Sequence, residues 1–242
     1  MAAAFDKYER RARSFPGLLA VAPIAIVVST LGWKKYAAVA IAAGVVVAAG
    51  GTYLLTLLVR HYGRSIQSGL WAKWDGAPTT RFLRSRGLEG NQVQRDNWRS
   101  AVAKVTSVTL LTPDQEASNP VLADQTIEAA VGQLTRLSQS TDYLLVKEEN
   151  INYGFERNLY GTRWWGRLIS AACCVLLAVA LGLGSVRLGG VRVSSNALAA
   201  GLIIDALFLV GWLWVPSEGR AKDAADRYAT ELLKATVTES QR

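Results

Sequence analysis

Apolar residues along this chain gather in long blocks. "FPGLLAVAPIAIVVSTLGW" (Phe15–Trp33) is the first, and "YAAVAIAAGVVVAAGGTYLLTLLV" (Tyr36–Val59) the second. After a long polar stretch come Leu168–Val186 and "ALAAGLIIDALFLVGWLWV" (Ala197–Val215). A helix rises about 1.5 Å per residue, so roughly 20 apolar residues cross the hydrocarbon core of a bilayer. All four blocks reach that length, and the pattern predicts four membrane spans. The basic start before the first block resembles a signal peptide. Its apolar run is too long for one, carries two prolines and ends in "GWKK", with no small-residue cleavage site, so a retained span is expected.

Between the second and third blocks the pattern becomes helical and amphipathic. "LTPDQE" offers Thr112 as an N-cap, Pro113 at the first helical position and Gln115 to close a capping box. "NPVLADQTIEAAVGQLTRL" repeats this with Asn119 and Pro120, and Ile127, Ala130, Val131, Leu134 and Leu137 then share one face. A further helix is expected from about Asp142 to Tyr160, stopping at Gly161. "SEGRAKDAADRYATELLKA" reads as an amphipathic helix with a frayed tail beyond it. No alternating strand pattern is visible. The predicted fold class is all-α: an integral membrane protein with four transmembrane helices and a helical cytoplasmic domain inserted between spans 2 and 3.

Charge orients the layout, because Lys and Arg near span ends resist translocation. Basic residues crowd the N-terminal arm (Lys7, Arg10, Arg11, Arg13), both ends of the polar stretch, and the segment after the last block. The short connectors carry fewer. The expected order is a cytoplasmic arm (1–14), spans 1 and 2 (15–59), a cytoplasmic helical sensor domain (60–166), spans 3 and 4 (167–215) and a cytoplasmic C-terminal helix and tail (216–242). Trp33, Trp164, Trp165, Trp212 and Trp214 lie near span ends, where an amphipathic ring settles among headgroups. A multi-pass protein of the bacterial inner membrane is the expectation.

Candidate chemistry is sparse. His61 is the only histidine, so no Ser-His-Asp or Cys-His set can be completed. Cys173 and Cys174 are adjacent inside an apolar block, which suits neither a disulfide framework nor a zinc site. No Walker-type loop is present. The expectation is a non-enzyme without cofactor or metal.

The polar stretch is electrically lopsided. Arg60–Lys104 holds nine Lys or Arg against three acids, and Val105–Glu156 holds two against eight. Arg81, Arg84, Arg86, Arg95, Arg99 and Lys104 fall close in sequence, with Trp98 among them. Guanidinium forks fit phosphates and an indole can stack a base, so an oligonucleotide or nucleotide signal is one reading. Pairing with the acidic half of the same domain is a second, and facing anionic lipid a third. Asp205 stands at mid-span, where a carboxylate faces an aqueous path or bonds to a neighbouring helix. Ala40, Gly44 and Ala48 recur every four residues, a spacing that lets helix backbones approach, within one chain or between copies.

"LWAKWDGAPTTRFLRSRGL" (Leu70–Leu88) and "VKEENINYGFERNLYGTRWWG" (Val146–Gly166) resemble segments of a family of bacterial membrane effectors of anti-phage defence, similar to the transmembrane effector of the Hailong system. The likeness covers roughly Leu70–Gly166. Pro78, Thr79, Thr80 and Arg84 match its first motif; Asn150, Tyr153, Gly154, Phe155, Arg157, Asn158 and Gly161 match its second. Asp75 stands where that family has glycine, and "TRWW" replaces a less aromatic stretch. The resemblance implies a homo-oligomeric channel that depolarises the host membrane, gated by a DNA oligomer from a nucleotidyltransferase partner. It adds Tyr153, Arg157 and Asn158 to the candidate ligand-binding residues; Asp205 is the candidate pore or intramembrane polar residue by its place in the last block. A non-conducting membrane scaffold and a small ion-coupled transporter remain alternatives.

Overall fold

The computed structural model describes residues 7–31, 50–86, 91–137, 143–184, 187–188 and 191–242. It is helical nearly throughout. A π-helical turn, Glu9–Ser14, leads into α1 (Phe15–Thr30). There follow α2 (Gly51–Ser65), α3 (Gln67–Lys73), α4 (Pro78–Leu83), α5 (Gln92–Thr106), α6 (Pro113–Ser118), α7 (Pro120–Leu137), α8 (Leu144–Gly182), α9 (Ser195–Trp214) and α10 (Glu218–Ser240). Between α8 and α9 two residue pairs form a minimal antiparallel ladder, Arg187 opposite Arg192 and Leu188 opposite Val191, too short to alter the fold class.

Among the described residues, three helices are long and apolar enough to cross a membrane: Glu9–Thr30, Leu144–Gly182 and Ser195–Trp214. They correspond to the first, third and fourth predicted spans. Most of the second, with Ala40, Gly44 and Ala48, lies outside the described residues. At its described end Gly50 takes φ 94°, a left-handed conformation that glycine readily adopts, and α2 begins one residue later.

The chain divides into two compact units. One comprises Met1–Ile66 and Gly154–Glu218, the other Gln67–Tyr153 and Gly219–Arg242. In the first unit, Val27, Cys173, Leu177 and Leu198 form one buried cluster, and Ala20, Leu159 and Trp212 another. Large apolar side chains such as Leu54, Leu168, Val179, Leu207 and Leu213 point outward. Water would penalise that surface and lipid does not. Small residues set the helix spacing. A Cβ on Gly17 would fall 2.7 Å from Leu55 Cγ, and one on Gly201 2.5 Å from Thr30 Oγ1. Gly166 lies flat against the Trp212 indole.

The second unit is a water-type domain with a core of Leu83, Trp98, Val102, Ile127, Ala130, Leu134, Val146, Leu232 and Leu233. The capping box forms as expected: Gln115 N–H donates to Thr112 Oγ1 (3.4 Å) and Thr112 N–H donates to Gln115 Oε1 (3.0 Å). Asn119 caps α7 by accepting from Leu122 N–H at 3.1 Å. The expected frayed tail is instead helical to Ser240, because Leu232, Leu233 and Thr236 are buried in this unit.

One sequence-based boundary is overturned. The helix expected to stop at Gly161 runs on as one 39-residue helix to Gly182, about 58 Å long. Gly161 is a packing position: its Cβ would fall 2.9 Å from the Cα and N of Gly63. The close approach of α2 outweighs the roughly 1 kcal/mol that an interior glycine costs a helix.

Candidate functional site

Arg81, Arg84, Arg86 and Arg99 of the polar stretch pair with acids of the same unit. Arg84 meets Asp124 through both forks, Nε to Oδ1 and Nη2 to Oδ2, each at 2.8 Å. Its Nη1 donates to Asp75, to the carboxylate at 2.8 Å and the carbonyl at 2.5 Å. Arg86, one-third exposed, donates to Asp124 at 2.9 Å. Arg81 is buried and donates to Asp226 (2.8 Å) and to the Trp74 carbonyl (3.3 Å). Arg95 is buried and donates to the Ser85 carbonyl at 3.3 Å.

Glu116 lies at the centre of a second group. It is almost fully buried and accepts from Arg99 Nη1 at 2.6 Å. It also accepts from Ser85, N–H at 2.8 Å and Oγ at 3.2 Å. Arg99 donates further to the carbonyls of Leu83 and Leu111. A buried carboxylate is stable only when its lone pairs are met in this way. Trp98 packs in the core beside Phe82, ring centroids 6.0 Å apart, and Lys104 donates to the Ser240 carbonyl.

These pairs draw part of the lopsided charge together. Arg84, Arg86 and Arg99 of the basic run meet Glu116 and Asp124 of the acidic run, the kind of contact the pairing alternative describes. Glu116 and Asp124 carry no sequence signal beyond the acidic excess itself, and Asp226 lies outside that run altogether. Burial pushes the Asp124 carboxyl up, but hydrogen bonds and charge from Arg84 and Arg86 outweigh this and hold it below the ordinary carboxylate value. Arg84 is raised above its ordinary value, chiefly by its hydrogen bond to Asp124. Asp75 also explains itself. Its φ is 61°, where glycine is the usual choice and Asp one of the few tolerated substitutes. The carboxylate then serves Arg84.

The second motif serves two packing faces of α8. Tyr153 stacks on Tyr228 with centroids 6.3 Å apart and planes 8° from parallel. In the membrane unit, Asn158 is fully buried; its Nδ2 donates to the Ala12 carbonyl at 2.6 Å, and its Oδ1 accepts from Arg157 Nη2 at 3.3 Å. Gly63 lies directly against Asn158, and Gly154 against Tyr8 and Ala12. One turn on, Arg163 stacks over Tyr160 at 3.7 Å, and Arg167 over Trp164 at 4.9 Å. Arg167 also donates to the carbonyls of Trp212 (3.0 Å) and Leu213 (3.3 Å), where α9 ends and its dipole is negative.

Asp205 is fully buried in α9, and neither carboxylate oxygen has a hydrogen-bond partner. The Ser170 hydroxyl, buried in α8, is also without one. No known protein family, curated protein or solved structure matches the chain.

Proposed function

We propose that this chain is a membrane effector: a homo-oligomeric pore in the bacterial inner membrane, opened or closed by a nucleotide or DNA-oligomer signal that its cytoplasmic part senses. Gln67–Tyr153 and Gly219–Arg242 form that part in this reading, with both termini and the basic arm on the same side. The carrying observation is α8. One unbroken helix contributes Val146 to the core of the second unit and Cys173 and Leu177 to the apolar cluster of the first. A change of packing around Val146 or Tyr153 thus has a covalent, hydrogen-bonded route to the spans. A ligand shifts such an element only as far as it prefers one of its two states. Asp205 supports a polar path, since a buried carboxylate among apolar helices costs stability unless it has a use. The resemblance to anti-phage effectors supplies depolarisation of the host as the outcome.

The test is conductance of the purified chain in planar bilayers, with and without short deoxyoligonucleotides, next to reporter fusions that locate residues 67–153. Absence of conductance under every condition removes the pore reading. The internally paired arginines favour a second reading, a membrane-anchored scaffold whose domain docks a protein. Capture of one defined protein by the non-conducting chain would support it.

A further inference from the structure

Outside the network around Glu116 and Asp124, the membrane unit carries a second group of cations. Three segments of the membrane unit meet at Asn158. Ala12 accepts its hydrogen bond, Gly63 packs on its side chain, and Arg157 precedes it on α8. Each contact point has an arginine next to it in sequence: Arg13 beside Ala12, Arg64 beside Gly63, and Arg157 itself. Arg60 lies one turn before Arg64 on the same face of α2.

We propose that Arg13, Arg60, Arg64 and Arg157 form a binding site for a phosphate group at the polar end of the membrane unit. The site is distinct from the arginines of the second unit, and the proposal holds whether or not the chain conducts. Three observations carry it. First, residues 7–14, 60–66 and 154–160 hold seven Lys or Arg against two acids, Glu9 and Glu156. Glu9 bonds to Arg13 at 2.7 Å, and Glu156 is itself engaged. Second, Arg60 and Arg64 make no ion pair among the described residues, and Arg64 is exposed. Third, the guanidinium of Arg64 is held below its ordinary value, first by Arg60, then by burial, and by Arg13 and Arg157. These like charges are close enough to repel one another. A dianionic or monoanionic phosphate would remove that repulsion and match the planar donor forks. Tyr8, whose ring faces Arg13 at 5.1 Å, walls the site on the arm side.

Two sources present this chemistry, a lipid headgroup and a free nucleotide. Two probes separate them, both applied to the full chain in detergent micelles: dioleoylphosphatidylglycerol, counted by native mass spectrometry, and a fluorescein-labelled deoxyadenylate trimer, followed by anisotropy. The double variant R60Q/R64Q is compared with wild type and with R136Q, which removes an exposed cation elsewhere. We expect the double variant to bind at least one probe about tenfold more weakly, and R136Q to match wild type. For the trimer, the slope of log affinity against log salt should fall by about 1.4, since each phosphate contact contributes about 0.7 on single strands. R64K, which keeps the charge, should retain most of the binding and guards against a folding defect. Loss of the lipid alone assigns the site to a headgroup, and loss of the trimer assigns it to a soluble nucleotide. Equal binding of both probes by wild type and R60Q/R64Q, or no binding of either by wild type, overturns the proposal.

Discussion

Glu116→Ala is the sharpest test of the internal network. The substitution removes the acceptor for Arg99 Nη1 and for the N–H and Oγ of Ser85, all at a nearly inaccessible point. Arg99 keeps the carbonyls of Leu83 and Leu111, so its charge is solvated by dipoles but no longer compensated. Breaking a buried ion pair from one side costs about 3–5 kcal/mol, and the surviving carbonyl bonds place this case near 3. For a domain of about 100 residues, 1 kcal/mol corresponds to about 4–8 °C, so the midpoint of the second unit should fall by about 12–24 °C. The assay is pulse proteolysis of the full chain in detergent along a temperature ramp, reading cleavage within residues 92–137. The double variant E116L/R99M replaces both partners by apolar groups of similar size and should recover most of the loss. A single variant within about 0.5 kcal/mol of wild type, or a double variant worse than the single, would refute the claim that this pair is buried and interdependent.

Acid should loosen the same unit. Asp124 has a depressed folded-state pKa, so its contribution is complete above the ordinary carboxylate value near 4 and is lost as pH falls below it; D124N should flatten the acid limb of a stability–pH curve. Gly161→Ala puts a methyl against Gly63 backbone and should cost about 1–3 kcal/mol, measured as a lower melting temperature of the membrane unit. Asp205→Leu should raise thermal stability by about 1–3 kcal/mol, because it removes an unpartnered buried carboxylate, while abolishing any conductance. Destabilisation by D205L would mean that the carboxylate has a structural partner.

Local signals were legible in the sequence where the physics is local. Thr112–Pro113–Gln115 and Asn119–Pro120 fix helix starts through atoms within four residues, and both starts are found. The apolar blocks at 15–33, 168–186 and 197–215 announced helices because length and hydropathy alone decide them. The end of α8 was not legible. Gly161 reads as a stop unless the arrival of Gly63 is known, and that contact spans nearly 100 residues of chain. The partners of the arginine candidates were not legible for the same reason. Arg84 and Asp124 are 40 residues apart and Arg81 and Asp226 are 145 apart, so composition shows an excess of charge without showing which acid meets which arginine. Asp75 was noticed only as a departure from a family pattern, and its φ of 61° reveals why that position is restricted.

The core of the second unit is closed by Leu232 and Leu233, which a ribosome delivers only after α9 has been made. Leu83, Val102 and Ile127 must therefore wait, incompletely covered, while two spans are handed to the insertion machinery. A nascent chain stalled before Glu218 carries an open apolar face, which exposes unfinished copies to proteases and chaperones and ties completion of this unit to successful membrane insertion.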